Sequence, residues 1–153
     1  MKLLIAALFT LFSIVCGSAR AQGQAPASDP LECPAATELL PQQLYGLWRA
    51  EFREPGKSLV TGTATLEFEK DPDFAQSVSG TILRGDAKAL VSGDAEEGEF
   101  ALDESVDGVN ISATWVGSVV PEACGKEIRG SWSDVIQNTT LDFVLRKLPE
   151  NRR

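Results

Sequence analysis

Side chains able to do chemistry are few in this chain and unevenly chosen. It has no histidine, three cysteines, three tryptophans, and 22 carboxylates against 14 lysines and arginines. Without imidazole, the commonest general base and the commonest transition-metal ligand are both gone. Serines and threonines lack a base partner in sequence, and no glycine-rich phosphate loop leads into a helix. A carboxylate-pair hydrolase would need an acid at an inward position amid apolar neighbours, where burial raises its pKa. The alternation described below assigns none, so neither an enzyme nor a cofactor is expected. Acids do cluster at Asp71, Asp73, Asp94, Glu96, Glu97 and Glu122, in loops that fall at one end of the expected fold. Oxygen ligands from adjacent loops suit calcium. A solvated acidic rim is the commoner origin of such runs, and no metal is expected.

Residues 1–21 have the form of an export signal. Lys2 opens it, Leu3 to Val15 is apolar but short for a membrane span, and Ala19-Arg20-Ala21 offers a small-x-small cut before Gln22. Cys16 would be a lipidation site only if that cleavage accepted Val15 in front of it, whereas it prefers a small residue there. The signal holds two basic residues, Lys2 and Arg20, and no acid, so the mature chain carries 12 basic against 22 acidic residues, a net charge of −10. That balance disfavours nucleic acid and anionic lipid as partners, since both need basic surface. Cys33 and Cys124 remain in the mature chain and are expected to form a disulfide, the simplest state of an isolated pair in an oxidising compartment.

Residues 22–41 (QGQAPASDPLECPAATELLP) read as an N-terminal arm, with one helical turn near Ala36 to Leu40. Beyond it, short alternating segments predict eight strands: Leu44–Arg53, Leu59–Lys70, Ser77–Arg84, Ala87–Gly93, Glu99–Ser105, Val109–Val119, Glu127–Asp134 and Leu141–Lys147. Turn residues such as Gly85, Gly98 and Asp107-Gly108 join them, and no crossover helix intervenes, so the strands must be antiparallel neighbours. Six of the eight carry an apolar-x-Gly-x-apolar pattern, at Gly46, Gly62, Gly80, Gly93, Gly117 and Gly130. Mid-strand glycine permits the coiling that a closing sheet needs. The expected fold is an all-β, eight-stranded up-and-down barrel over 42–148, with 149–153 as a tail. A coiled sandwich is the alternative. Parity turns Trp48, Phe52, Phe68, Phe100, Ile111, Trp115, Trp132 and Phe143 inward and Arg49, Glu51, Glu67, Thr81, Asn110 and Thr114 outward. In a meander, Cys33 and the loop bearing Cys124 fall at the same end.

Eight meandering strands opening on Gly46-Leu47-Trp48 resemble the calycin barrels, lipocalins above all. The resemblance implies that Trp48 packs at a closed end beneath a basic residue of the last strand, here Lys147 or Arg146, of which only Lys147 shares the inward parity. Two features depart from the lipocalin pattern: the chain is short, and no Thr-Asp-Tyr type of motif follows. The avidin-like relatives fit in size, but no polar cluster on the inner face would carry biotin binding over. The arm is similar in placement to that of bacterial periplasmic protease inhibitors built on eight-stranded barrels.

The aromatic set Trp48, Phe52, Phe68, Phe100, Trp115, Trp132 and Phe143 either lines a pocket for one small ligand or fills the interior as core. The expected function is accordingly a non-catalytic, exported (periplasmic or secreted) binding barrel for a small apolar ligand. The alternative is a protein-interaction or inhibitor module acting through the arm and the acidic loops.

Overall fold

In a computed structural model, residues 33–150 are described; the expected export signal and most of the arm lie outside them. The chain enters through a 3-10 turn, Ala36–Glu38, and one turn of α-helix, α1 (Pro41–Leu44). Pro41 stands at the first helical position, where its missing N–H costs nothing, and the Leu40 N–H is taken up by Gln43 Oε1 at 2.6 Å. Eight strands follow: β1 (Gly46–Arg53), β2 (Val60–Lys70), β3 (Ser77–Arg84), β4 (Ala87–Glu96), β5 (Glu99–Ser105), β6 (Ala113–Val119), β7 (Glu127–Asp134) and β8 (Thr139–Lys147). Each pairs antiparallel with the next, and β8 returns to β1 through Trp48↔Lys147 to Arg53↔Asp142, closing the barrel. Closure leaves no free edge. We call the end where β1 starts the floor and the end where it finishes the mouth.

The six recurring glycines all occupy inward positions, and register sets five of them opposite a phenylalanine, Gly93 facing Val78 and Leu102 instead. Phe52 faces Gly62, Phe68 faces both Gly46 and Gly80, Phe100 faces Gly117, and Phe143 faces Gly130. Every inward phenylalanine thus lies opposite an absent side chain; at Gly62 the Phe52 ring borders the place of a Cβ, whereas at Gly80, Gly117 and Gly130 the neighbouring strand's backbone occupies it. At Gly117 and Gly130, which face each other, the backbones approach so closely that a Cβ on Gly130 would overlap Val116 O and Gly117 Cα.

The rings so accommodated form one chain of tilted and edge-to-face contacts along the barrel. It runs Trp48–Phe68–Phe100–Phe143–Trp115–Phe52–Trp132, with centroid separations between 4.9 and 6.4 Å. Such pairs add about 0.5–1.5 kcal/mol each beyond their burial. Trp48, Phe68, Phe100, Trp115 and Phe143 are fully buried, so the interior between floor and mid-barrel is packed side chain.

The floor is shut by the entering segment. Leu39 and Leu44 are buried, and Cys33 lies within disulfide distance of Cys124, with Cα atoms 4.5 Å apart. A link across a sequence separation of 91 residues contributes about 4–5 kcal/mol in the loop-entropy account. Trp48 Nε1 donates to Leu44 O at 2.6 Å, and Lys147 Nζ donates to Gln43 O at 2.6 Å while standing 5.9 Å from the Trp48 ring. Lys147 is therefore the basic residue over the indole. Arg146 points outward to Glu127 at 2.7 Å and Glu51 at 3.3 Å.

Five strand boundaries differ from expectation: β2 starts at Val60 and not Leu59, β4 runs on past Gly93 to Glu96, β8 starts at Thr139 and not Leu141, and the starts of β6 and β1 move for identifiable reasons. β6 starts at Ala113, not Val109, because the Asp107 carboxylate captures the N–H groups of Val109 (2.9 Å) and Asn110 (2.8 Å) and holds a turn that competes with the ladder. Ile111 consequently lies in a loop and is exposed rather than inward. At the start of β1, Leu44 ends α1 instead of opening the strand.

Candidate functional site

The one charged cluster inside the barrel lies at the mouth, and alternation puts it there. Along β3, Val78, Gly80, Ile82 and Arg84 share the inward face; along β5, Phe100, Leu102 and Glu104 do. Both strands run toward the mouth, so Arg84 and Glu104 meet at that end across β4. Glu104 is 2% exposed. The expectation of no inward acid among apolar neighbours is thus corrected: the parity that buries Phe100 and Leu102 extends one step further.

Arg84 Nη1 donates to Glu104 Oε1 and Nη2 to Oε2, the latter at 2.7 Å. Two indoles complete the shell, with Trp115 Nε1 and Trp132 Nε1 each donating to Oε2 at 3.2 Å. Four donors satisfy a carboxylate that has lost its water. The backbone of Glu104 is fixed too, its carbonyl accepting the Ser112 N–H at 2.7 Å and the Ser112 hydroxyl at 3.0 Å. The guanidinium carbon lies 4.9 Å from the Trp132 ring centroid, 5.3 Å from that of Phe52 and 5.8 Å from that of Trp115. Aromatic faces attract a cation at such distances.

Over it opens a cleft of about 290 Å³, lined by Phe52, Thr61, Gly62, Thr63, Arg84, Trp132 and Leu141. Of the seven expected aromatics, Phe52 and Trp132 line it. Trp48, Phe68, Phe100 and Phe143 lie deeper, and Trp115 reaches the site through its N–H. Around the mouth, Leu59, Val106, Val109, Val135 and Ile136 project from the loops, each more than half exposed. Two larger depressions lie elsewhere. One, about 380 Å³, crosses the solvated outer face between Glu69, Thr81, Leu90 and Asp103; the other, about 510 Å³, borders Lys126 and residues 147–150. Neither brings aromatic rings together with a fixed charge.

The acidic loops form no metal centre: among the described residues, no three potential ligands converge. Asp71 is buried because its Oδ1 accepts the N–H groups of Asp73 and Phe74, both at 2.9 Å, which makes it a turn former. Elsewhere, burial disfavours the charged form of Glu127, but hydrogen bonds from Arg129 and Arg146 outweigh that and hold its pKa below the ordinary value. The backbone N–H of Asn110, then its side chain and the Val109 N–H, hold the Asp107 carboxyl well below the usual carboxylate range. Burial pushes the Lys147 ammonium below its ordinary value.

No protein-family model matches this chain, and no curated protein matches it.

Proposed function

We propose that this chain is a non-catalytic, exported binding barrel that takes a small apolar ligand at its mouth instead of along its axis. One observation carries the reading. The ring chain from Trp48 to Trp132 occupies the axis, while a ring-sized cleft opens between Phe52, Trp132 and Leu141. Its volume lies just below the roughly 300–1,000 Å³ of pockets that bury drug-sized molecules. The aliphatic loop tips at the mouth give such a ligand an apolar approach. The close Cys33–Cys124 pair supports an oxidising compartment. The absence of histidine from the sequence supports binding without catalysis, as does a carboxylate whose oxygens are already taken.

The test is a titration with small apolar aromatics, following tryptophan emission. Binding should quench it, and Gly62→Leu should abolish the quench. Position 62 can carry a side chain, because a Cβ there meets only Phe52 Cδ2, at 3.9 Å. No response from the unaltered protein across neutral and charged aromatics would reject the proposal.

A further inference from the structure

We infer that the ligand of the mouth is a small aromatic carboxylic acid, its ring between Phe52 and Trp132 and its carboxylate on the free side of the Arg84 guanidinium. The inference rests on the mouth being the binding site and adds the ligand's charge and anchor.

Arg84 has five N–H donors. Its two hydrogen bonds run from Nη1 and Nη2 to Glu104, which is the end-on face of the fork. Among the described residues, the Nε–H has no partner, so the side-on fork of Nε and one Nη remains. The Arg84 side chain is 30% exposed and lines the cleft beside Trp132. Planar bidentate donors recognise a carboxylate in one orientation. Here the fork is already oriented by Glu104 and three rings, so little side-chain entropy remains to be lost on binding.

Charge at long range does not forbid an anion. The acids expected in loops lie at the floor, Asp71 and Glu122 in connections and Asp94 and Glu96 in the last residues of β4, which extends past the expected Gly93. Strands of this length separate the two ends by about 25 Å, well beyond the roughly 8 Å screening length at physiological salt. The mouth carries acids too, at Glu54, Asp86, Asp107 and Asp134, and Glu104 is buried against Arg84, but the charged residue that lines the cleft is Arg84. A neutral apolar ligand would use the rings and leave the fork to water, whereas an aromatic acid uses both. The cleft has room for one ring with a short acid arm and no more.

The probe pair is 3-phenylpropionate and 3-phenylpropanol, which differ only in the polar head, titrated against the full chain with the Trp132 indole N–H signal as readout. The acid should bind at least tenfold more tightly than the alcohol, and Gly62→Leu should remove both. In Arg84→Gln/Glu104→Gln, which replaces the ion pair by two amides, the acid should lose its advantage over the alcohol. Equal binding of acid and alcohol by the unaltered protein overturns the inference while leaving apolar binding at the mouth intact. A preference for the acid that survives the double variant also overturns it. If neither compound moves the Trp132 signal, this inference fails together with the proposed site. The comparison in the unaltered protein decides even if the double variant does not fold.

Discussion

Glu104 has exchanged its water for four protein donors, and the two charges of its ion pair are unequally protected. The carboxylate is almost wholly buried, whereas the Arg84 side chain keeps 30% of its surface in solvent. Breaking a buried pair from one side costs about 3–5 kcal/mol because the remaining charge is stranded. Arg84→Met should therefore fall in that range by urea unfolding, and Glu104→Leu should cost less, since Arg84 can turn outward. Arg84→Met/Glu104→Leu should be more stable than Arg84→Met alone; additive losses would mean that the two side chains do not interact. A second residue-scale prediction concerns pH. Glu127 and Asp107 have folded-state pKa values below their unfolded ones. Their contributions are complete above the ordinary carboxylate range and disappear as pH falls through the folded values. The urea midpoint should thus drop from pH 7 to pH 3, and Glu127→Gln should make that drop smaller. The mouth cluster was only half legible in the sequence. Alternation from Ile82 and from Leu102 puts Arg84 and Glu104 inward at the same end, a signal present in the residues. Charged residues at strand ends are so often solvated that the parity argument stopped one step short of both.

At the scale of elements, four strand pairs (β1·β2, β2·β3, β5·β6 and β7·β8) divide the labour between a glycine and its neighbour's ring. The prediction is positional. Gly130→Ala puts a methyl into the backbone of β6 and should cost about 2 kcal/mol or more, in the range of overpacking. Gly62→Ala meets only the edge of Phe52 and should change stability by less than about 1 kcal/mol. Thermal midpoints of the two variants check this; equal losses would mean that strand propensity, and not close approach, placed the glycines. Period-2 alternation and turn residues made all eight strands legible, because every strand buries one face against a single core. The start of β6 was not legible. Val109-Asn110-Ile111-Ser112 alternates as a strand would, and only the capture of backbone N–H groups by Asp107 decides otherwise. Pairing between Gly130 and Phe143 was likewise hidden, since register depends on turn geometry that composition does not state.

The whole barrel is polarised. Its floor is closed by α1, the Cys33–Cys124 pair and the Trp48–Lys147 stack, with acids around it; its mouth is ringed by aliphatic loop tips over a fixed guanidinium. A filled axis and an aromatic cleft divide the three indoles: Trp48 lies at the floor, while Trp115 and Trp132 both bond Glu104 at the mouth, where Trp132 lines the cleft. That division makes the central claim measurable in one spectrum. Titrated with a small apolar aromatic ligand, the indole N–H resonance of Trp132 should shift in a saturable way, while that of Trp48 stays still. Movement of Trp48 would mean that ligand enters the barrel axis, and no movement of Trp132 would mean that the mouth is not a binding site; either result contradicts the account.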